Sequence, residues 1–293
     1  MSEPIKDHLT GGDVFSDPRF PLTILRRDPQ IPFPKHTHDF SELVIVYSGQ
    51  GIHFTDDEEY SISAGDVFVV TGDRSHGYRR PEQLQLLNIV FDQSLLSVSP
   101  VFESELNEIN GYHALFTWEP RLRSEHRFES RLRLGRSELA ETLLKAGALE
   151  SELSAKGAGY RAMALSIFIQ LCGFLSRQYD SSSSPEMKEL SRLSGVLSYL
   201  EQNTSRCITT GELTSFAGMS ESTLLRLFHK TTGTSPVEYH NRLRIKKVCG
   251  LLKSTGKTVT EIAFETGFGD SNYLSRLFKK VMGVPPGAWR KGG

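Results

Sequence analysis

Two sets of residues in this chain have types and spacings that could do chemistry. The first is His36-Thr37-His38, then Glu42, then His76. Histidines at i and i+2 of a strand project from one face, and Glu42, an even four residues past His38, can join them. His36, His38, Glu42 and His76 are together a donor set for a divalent metal. The same polar groups suit a ligand rich in hydroxyls, so His36, His38, Glu42, Tyr47 and His76 are also the candidate effector-binding residues. Tyr47, His53, Phe54, Phe68 and Tyr78 are rings that can stack on the apolar face of a sugar. The structural alternative is that these histidines line a core as hydrogen-bonding groups and hold no ion.

The second set lies near the C-terminus and is basic. Residues 1–185 carry 18 Lys+Arg against 26 Asp+Glu, and residues 186–293 carry 16 against 9, so the net charges are −8 and +7. Within the basic part, Leu224, Arg226, Leu227, Phe228, Lys230, Gly233 and Pro236 recur fifty positions later as Leu274, Arg276, Leu277, Phe278, Lys280, Gly283 and Pro286. Seven identities at one offset mark a duplicated unit. Beside the apolar stripes stand Ser222, Leu225, Arg226 and His229 in one copy, and Ser271, Asn272, Ser275, Arg276 and Lys279 in the other. Arg pairs bidentately with guanine, Asn with adenine, and Ser serves either base or phosphate. Arg242, Arg244, Lys246 and Lys247, between the copies, suit phosphate contact.

The elements that must position these groups are legible too. In the basic part each copy reads as helix, glycine-bearing turn, helix. Thr210 opens the first unit, Gly218-Met219 turns the chain, and Ser220 caps a helix that buries Leu224, Leu227 and Phe228. A helix from about Thr260, the turn Gly267-Phe268-Gly269, and a cap at Asp270 or Ser271 repeat the pattern. Val237 to Lys253 reads as a connecting helix. It is long enough to hold the second helices near one DNA turn apart, about 34 Å. A helical bundle with a merely solvated face is the competing reading; duplication and charge favour DNA.

In the acidic part, Leu43–Tyr47, Ile52–Thr55, Tyr60–Ile62, Val67–Val70 and Leu84–Phe91 read as short strands, with turns at Ser48–Gly51 and Ala64–Asp66 and a hairpin tip at Asp56–Glu59. Such spacing predicts an antiparallel barrel or jelly roll. Residues 125–180 read as helices, with Leu139, Leu143, Ala146, Leu149 and Leu153 on one stripe and Met163, Ile167, Leu171 and Phe174 on another. Ser181-Ser182-Ser183-Ser184-Pro185 reads as a linker. The fold class expected is α+β and multidomain. It comprises a barrel over 1–100, a helical dimerisation segment over 101–180, a linker over 181–187 and an all-α DNA-binding domain over 188–293.

The run Lys247–Leu252, then Val259–Ala263, Gly267-Phe268, Tyr273, Phe278–Lys280 and Gly283–Pro286 resembles the AraC/XylS family of bacterial transcription regulators. The resemblance covers roughly residues 190–290. It implies a seven-helix DNA-binding domain with two helix-turn-helix units, and RNA polymerase as a partner. Its base-reading positions fall on Ser222, Leu225, Arg226, Ser271, Asn272, Ser275 and Arg276, with Asp270 where some members touch DNA. Leu225 departs from the polar residue often found there, which leaves it a thymine methyl at most. The run His36-x-His38-x3-Glu42-x6-Gly49, with Gly65 and His76, resembles the cupin barrel, although Gln30, Thr71 and Asp73 replace residues of the fuller motif. The layout is most similar to the sugar-responsive branch, and His38–Val46 and Asp270-Ser271-Asn272 to its rhamnose-responsive activators.

The function expected is therefore a DNA-binding regulator and not an enzyme, an activator controlled by a sugar in the barrel and acting as a homodimer on double-stranded DNA. No cofactor is expected beyond the metal that the His/Glu set could hold. Two alternatives remain: a metal-dependent cupin enzyme with a DNA-binding appendage, and a constitutive DNA binder whose barrel only dimerises. No nucleophile–base pair, phosphate loop or cofactor fingerprint supports the first. Three scattered cysteines, Cys172, Cys207 and Cys249, argue for a reducing compartment. No apolar run is long enough for a membrane helix, and the N-terminus is polar, so a cytoplasmic protein without signal peptide is expected.

Overall fold

The computed structural model describes residues 7–56, 58–72, 74–97, 105–120, 132–182 and 184–291. Asp57, Asp73, Ser183 and the expected boundary at 100/101 lie outside the described residues. The chain divides into two compact units, Met1–Ser194 and Gly195–Gly293.

Among the described residues the first unit has eight strands: β1 (His8–Leu9), β2 (Leu22–Arg27), β3 (Phe33–His38), β4 (Ser41–Thr55), β5 (Glu59–Ser63), β6 (Asp66–Val70), β7 (His76–Phe91) and β8 (Leu132–Arg133). Their order is β1-β3-β7-β4-β6-β8, with β2 also on β7 and β5 also on β4. The expected turn at Ser48–Gly51 is instead a bend within one strand of 15 residues. The β4–β7 register shifts three times between Val46 and Ile52, so both strands bend together. Gly49 makes the bend feasible, since its φ is +69° and a Cβ there would lie 2.1 Å from the carbonyl oxygen of Gln83. Only glycine takes that conformation and that approach without penalty. Beyond the bend β4 changes partner, from β6 at Glu42–Ile45 to β5 at Gln50–Phe54. One long strand thus turns a barrel corner that its composition reads as two short strands.

Alternation then sorts the side chains. Val44 and Val46 point inward with Ile62, Phe68, Val70, Tyr78, Leu84 and Leu86, forming the barrel core. Leu43, Ile45, Leu87, Ile89 and Phe91 on the opposite face are buried as well, and Phe91 meets Phe168 at a ring-centroid distance of 5.0 Å.

Helices cover that face. After the short α1 (Gly11–Val14), α2 (Asn110–His113) runs into a π-turn, followed by α3 (Arg136–Ala155) and α4 (Tyr160–Ser181). The buried stripe of α4 is Ala164, Phe168, Leu171 and Leu175. The expected stripe is rotated from it, and Met163 stands exposed. On α3, Ala146 and Leu149 are buried as expected. α5 (Pro185–Gln202) starts directly after the serine run and crosses the unit boundary, so helix occupies residues 185–187 of the expected linker.

The second unit continues with α6 (Thr210–Ala217), α7 (Glu221–Thr232), α8 (Pro236–Ser254), α9 (Val259–Glu265), α10 (Ser271–Met282) and α11 (Pro286–Lys291). α6–α7 and α9–α10 are the two helix-turn-helix pairs. Thr209, one residue before the expected position, caps α6 through the amide of Glu212. Gly218, Gly233 and Gly283 close their helices in the left-handed conformation. Among the described residues no helix is long and apolar enough to cross a membrane.

Candidate functional site

The barrel interior gathers polar side chains at unusual depth. His36, His38, Glu42, His53, His76, Tyr78 and Asn88 are each no more than 6% exposed. β3 supplies His36 and His38, β4 supplies Glu42 and His53, and β7 supplies His76, Tyr78 and Asn88. His36 and His76 are direct register partners. Glu42 on β4 and the β3 histidines share the even parity the sequence suggested, whereas His53 follows the bend that resets the parity of β4.

Hydrogen bonds orient the rings. His38 Nδ1 lies 2.7 Å from the carbonyl of Phe40. That nitrogen therefore carries the proton, and Nε2 is left as an acceptor. His76 Nε2, 3.2 Å away, donates to it. His76 Nδ1 in turn accepts from His53 Nε2 at 3.2 Å. The result is a directed chain of imidazoles. Burial keeps His38 and His76 neutral: it lowers His38 to about 4 and His76 well below the usual histidine range. Burial also raises Glu42 to about 7, and Asn88 Nδ2 donates to Glu42 Oε2 at 3.1 Å.

Donor atoms of His36, Glu42 and His76 lie within 4.8 Å of one another. These are types a divalent ion accepts, and burial excludes competing water. His76 Nε2 lies 4.0 Å from Glu42 Oε2. His76 Nε2 is also committed to His38. A metal held by His36, Glu42 and His76 would compete with that hydrogen bond.

The cavity bounded by these groups measures about 40 Å³. Its polar side is His36, Glu42, His76, Tyr78 and Asn88; Leu9, Val14, Leu25, Phe33 and Phe40 form the apolar side, with Arg27 and Gln30 completing the lining. Among the described residues, the Tyr78 hydroxyl and Asn88 Oδ1 have no hydrogen-bond partner there. Tyr47 is not part of this pocket. It faces the opposite side of β4, where Arg26 lies 5.7 Å from its ring centroid and pairs with Glu150 of α3. Phe68 belongs to the core, and Phe54 lies under Arg79 at 3.9 Å. Asn88 escaped sequence reading; its signal is one amide in the otherwise apolar run Leu86–Phe91.

In the second unit the apolar stripes are buried and most of the side chains beside them are exposed. Leu224, Leu227 and Phe228 anchor α7, and Leu274 and Phe278 anchor α10. Ser222, Leu225, Arg226 and His229 are exposed on α7, as are Asn272, Tyr273, Arg276, Lys279 and Lys280 on α10. Ser271 and Ser275 are half-buried. Asp270 is engaged locally, since its carboxylate accepts from the amides of Asn272 and Tyr273 as the helix cap. Arg244 departs from the phosphate-contact reading, for it is only 3% exposed.

Residues 22–116 match the AraC-like ligand binding domain, and residues 213–292 match a helix-turn-helix domain. The chain is 30% identical over 284 residues to the HTH-type transcriptional activator RhaR of Cronobacter sakazakii, covering 97% of this chain and 95% of that protein. It belongs to the AraC family of transcription regulators. It is also 29% identical over 286 residues to the RhaR activator of Mannheimia succiniciproducens, covering 96% of each. The DNA-binding domain of AdpA, solved in complex with a target DNA, is similar at 26% identity and a TM-score of 0.33, covering 34% of this chain and 90% of that one. As an AraC-family regulator, the chain pairs a ligand-binding barrel with a DNA-binding helical domain.

Proposed function

We propose that this AraC-family regulator is a transcriptional activator whose effector is a sugar held in the barrel, and that it acts as a homodimer. The observation that carries the effector reading is the pair of orphaned polar atoms, Tyr78 Oη and Asn88 Oδ1, facing the same cavity as His36, Glu42 and His76. Buried polar groups without partners are costly, and hydroxyls of a bound ligand satisfy them. Phe33 and Phe40 offer the apolar side a sugar ring needs. The RhaR names of its relatives support the sugar class and the activator role. The cavity of about 40 Å³ holds little more than one water. Entry of a sugar therefore requires part of the lining to shift.

Ligand binding at the barrel changes DNA binding only as far as the ligand prefers one arrangement of the dimer over another. α3 supports the dimer, because Leu144 is 76% exposed on its outer face. Ser222, Leu225, Arg226, Ser271, Asn272, Ser275 and Arg276 are the base-reading residues, and Asp270 acts by holding the start of α10. RNA polymerase is the expected partner of an activator.

A second reading is favoured by the converging donors His36, Glu42 and His76: a divalent ion in the barrel. Thermal unfolding of the full chain with a panel of sugars, L-rhamnose included, and of divalent metals separates the readings. A rise with one sugar supports the sensor. A rise with metal alone supports the ion site, and no shift with any compound counts against both.

A further inference from the structure

Two reading helices can meet successive turns of one duplex only if the angle between their bundles is held. α8 runs from one bundle into the other, and its buried residues change partners along its length. His240 Nε2 lies 3.1 Å from the carbonyl of Asn203, in the loop before the first helix-turn-helix. One turn later Arg244 reaches the second bundle. Its Nε donates to the Thr266 carbonyl at 2.9 Å, and its Nη1 to Asn241 Oδ1 at 3.3 Å. The guanidinium carbon lies 3.6 Å from the ring centroid of Phe268. Ile245, Val248 and Leu252 continue into the second core.

The turn of the second helix-turn-helix closes on the same place. Gly267 has φ +72°, and a Cβ there would lie 2.5 Å from the backbone of Ser205 and Arg206. Lys247 Nζ donates to Ser205 Oγ at 3.0 Å. The loop entering the first unit, the middle of α8 and the turn of the second unit therefore meet in one seam, with Arg244 at its buried centre.

Arg244 as a whole is 3% exposed, and the hydrogen bonds of its guanidinium go to a carbonyl and an amide rather than a carboxylate. Such bonds restore only part of the hydration that burial removes. For stability alone an apolar side chain of similar volume serves as well. What arginine adds is direction: a planar fork that bonds two acceptors while its face stacks on a ring, which neither methionine nor lysine reproduces.

We propose that Arg244 is a positioning residue that fixes the angle between the two helix-turn-helix units, so that the chain accepts one spacing between the DNA segments it reads. The proposal rests on the reading of α7 and α10 as DNA-reading helices. The first measurement needs no DNA. Spin labels go on cysteines placed at Glu221 and Val281, in a full-length chain with Cys172, Cys207 and Cys249 changed to Ser and diluted with unlabelled chain. The wild-type background should give one narrow distance distribution. Arg244→Met should broaden it with little change in melting temperature, and Arg244→Lys should fail to restore it. A distribution in Arg244→Met as narrow as in the wild type overturns the proposal. If Arg244→Met does not fold, Phe268→Leu, which removes the ring under the guanidinium, is read in the same way.

The second measurement uses a duplex selected by the wild-type chain from a random pool. Inserting one base pair between its two protected segments should weaken wild-type binding by about tenfold or more, the scale of lost base contacts. Arg244→Met should lose clearly less, and an equal loss in both proteins overturns the proposal. If the helices do not read DNA, no duplex is selected while the distance measurement still reports, so the two failures are distinguishable.

Discussion

Glu42 and the barrel histidines pull stability in opposite directions as pH changes. Burial raises Glu42 from the ordinary 4.5 to about 7, so across that range the folded chain keeps a proton that the unfolded chain releases. Stability from this group is present below 4.5 and lost as pH rises to about 7. His36, His38 and His76 are lowered by burial, so below their ordinary 6.5 the unfolded chain binds protons that the folded chain refuses. Their stabilisation is present above 6.5 and lost as pH falls toward the folded values, about 4 for His38. Glu42→Gln removes only the acid's contribution. The variant should gain on the wild type as pH rises from about 5 to about 8, by on the order of 3 kcal/mol at ~1.4 kcal/mol per pKa unit. Paired thermal melts check this, and an equal difference at both pH values would show that Glu42 is not held neutral by burial. On the DNA side, Arg276→Ala should cost ~1–3 kcal/mol of specific binding and relax base choice at one position. Fluorescence anisotropy on selected and random duplexes measures it; an equal loss on both would make Arg276 a phosphate contact.

The two helix-turn-helix units show how one structural task is met by different residues. Ser220 caps α7 through the amide of Thr223, and fifty positions later Asp270 caps α10 through the amides of Asn272 and Tyr273. Asp270→Ala should destabilise the chain by ~1 kcal/mol, and Asp270→Ser should recover most of it, because serine does this work in the other copy. Chemical denaturation of the three proteins tests the pair. A loss of DNA affinity in Asp270→Ser at unchanged stability would restore Asp270 as a direct contact. The duplication, both turns and both cores were legible because helical periodicity, glycine and caps are local signals. The barrel was legible as a class but not in its path: a bent strand of 15 residues carries the same Gly-rich punctuation as two strands and a turn. The bend resets parity, so His53 faces inward with Glu42, while Tyr47, before the bend and an odd number of residues past Glu42, faces the helices. Arg244 was misread because charge in a sequence says nothing of depth, and only the packing of Phe268 and Thr266 around it shows that it is buried.

At the scale of the molecule, the acidic unit senses and the basic unit binds, so any signal must pass through arrangement rather than shared chemistry. Residues 1–185 carry −8 and residues 186–293 carry +7, which leaves the sensor no electrostatic attraction for DNA. The proposed dimer would supply what one weakly charged chain lacks, because tethering a second DNA-binding unit raises its effective concentration at a repeated site. α3 buries Ala146 and Leu149 against its own unit and leaves Leu144 exposed on the far side. Exposure of one large apolar side chain is ordinary, so the test must separate an interface from a harmless leucine. Leu144→Glu should shift the chain toward monomer in sedimentation, leave its melting temperature near that of the wild type only at low protein concentration, where both are monomers, and weaken binding to a two-site duplex far more than to a single site. Dimers that persist in Leu144→Glu would move the interface off this face of α3, and equal weakening on both duplexes would show that avidity is not how this regulator holds its operator.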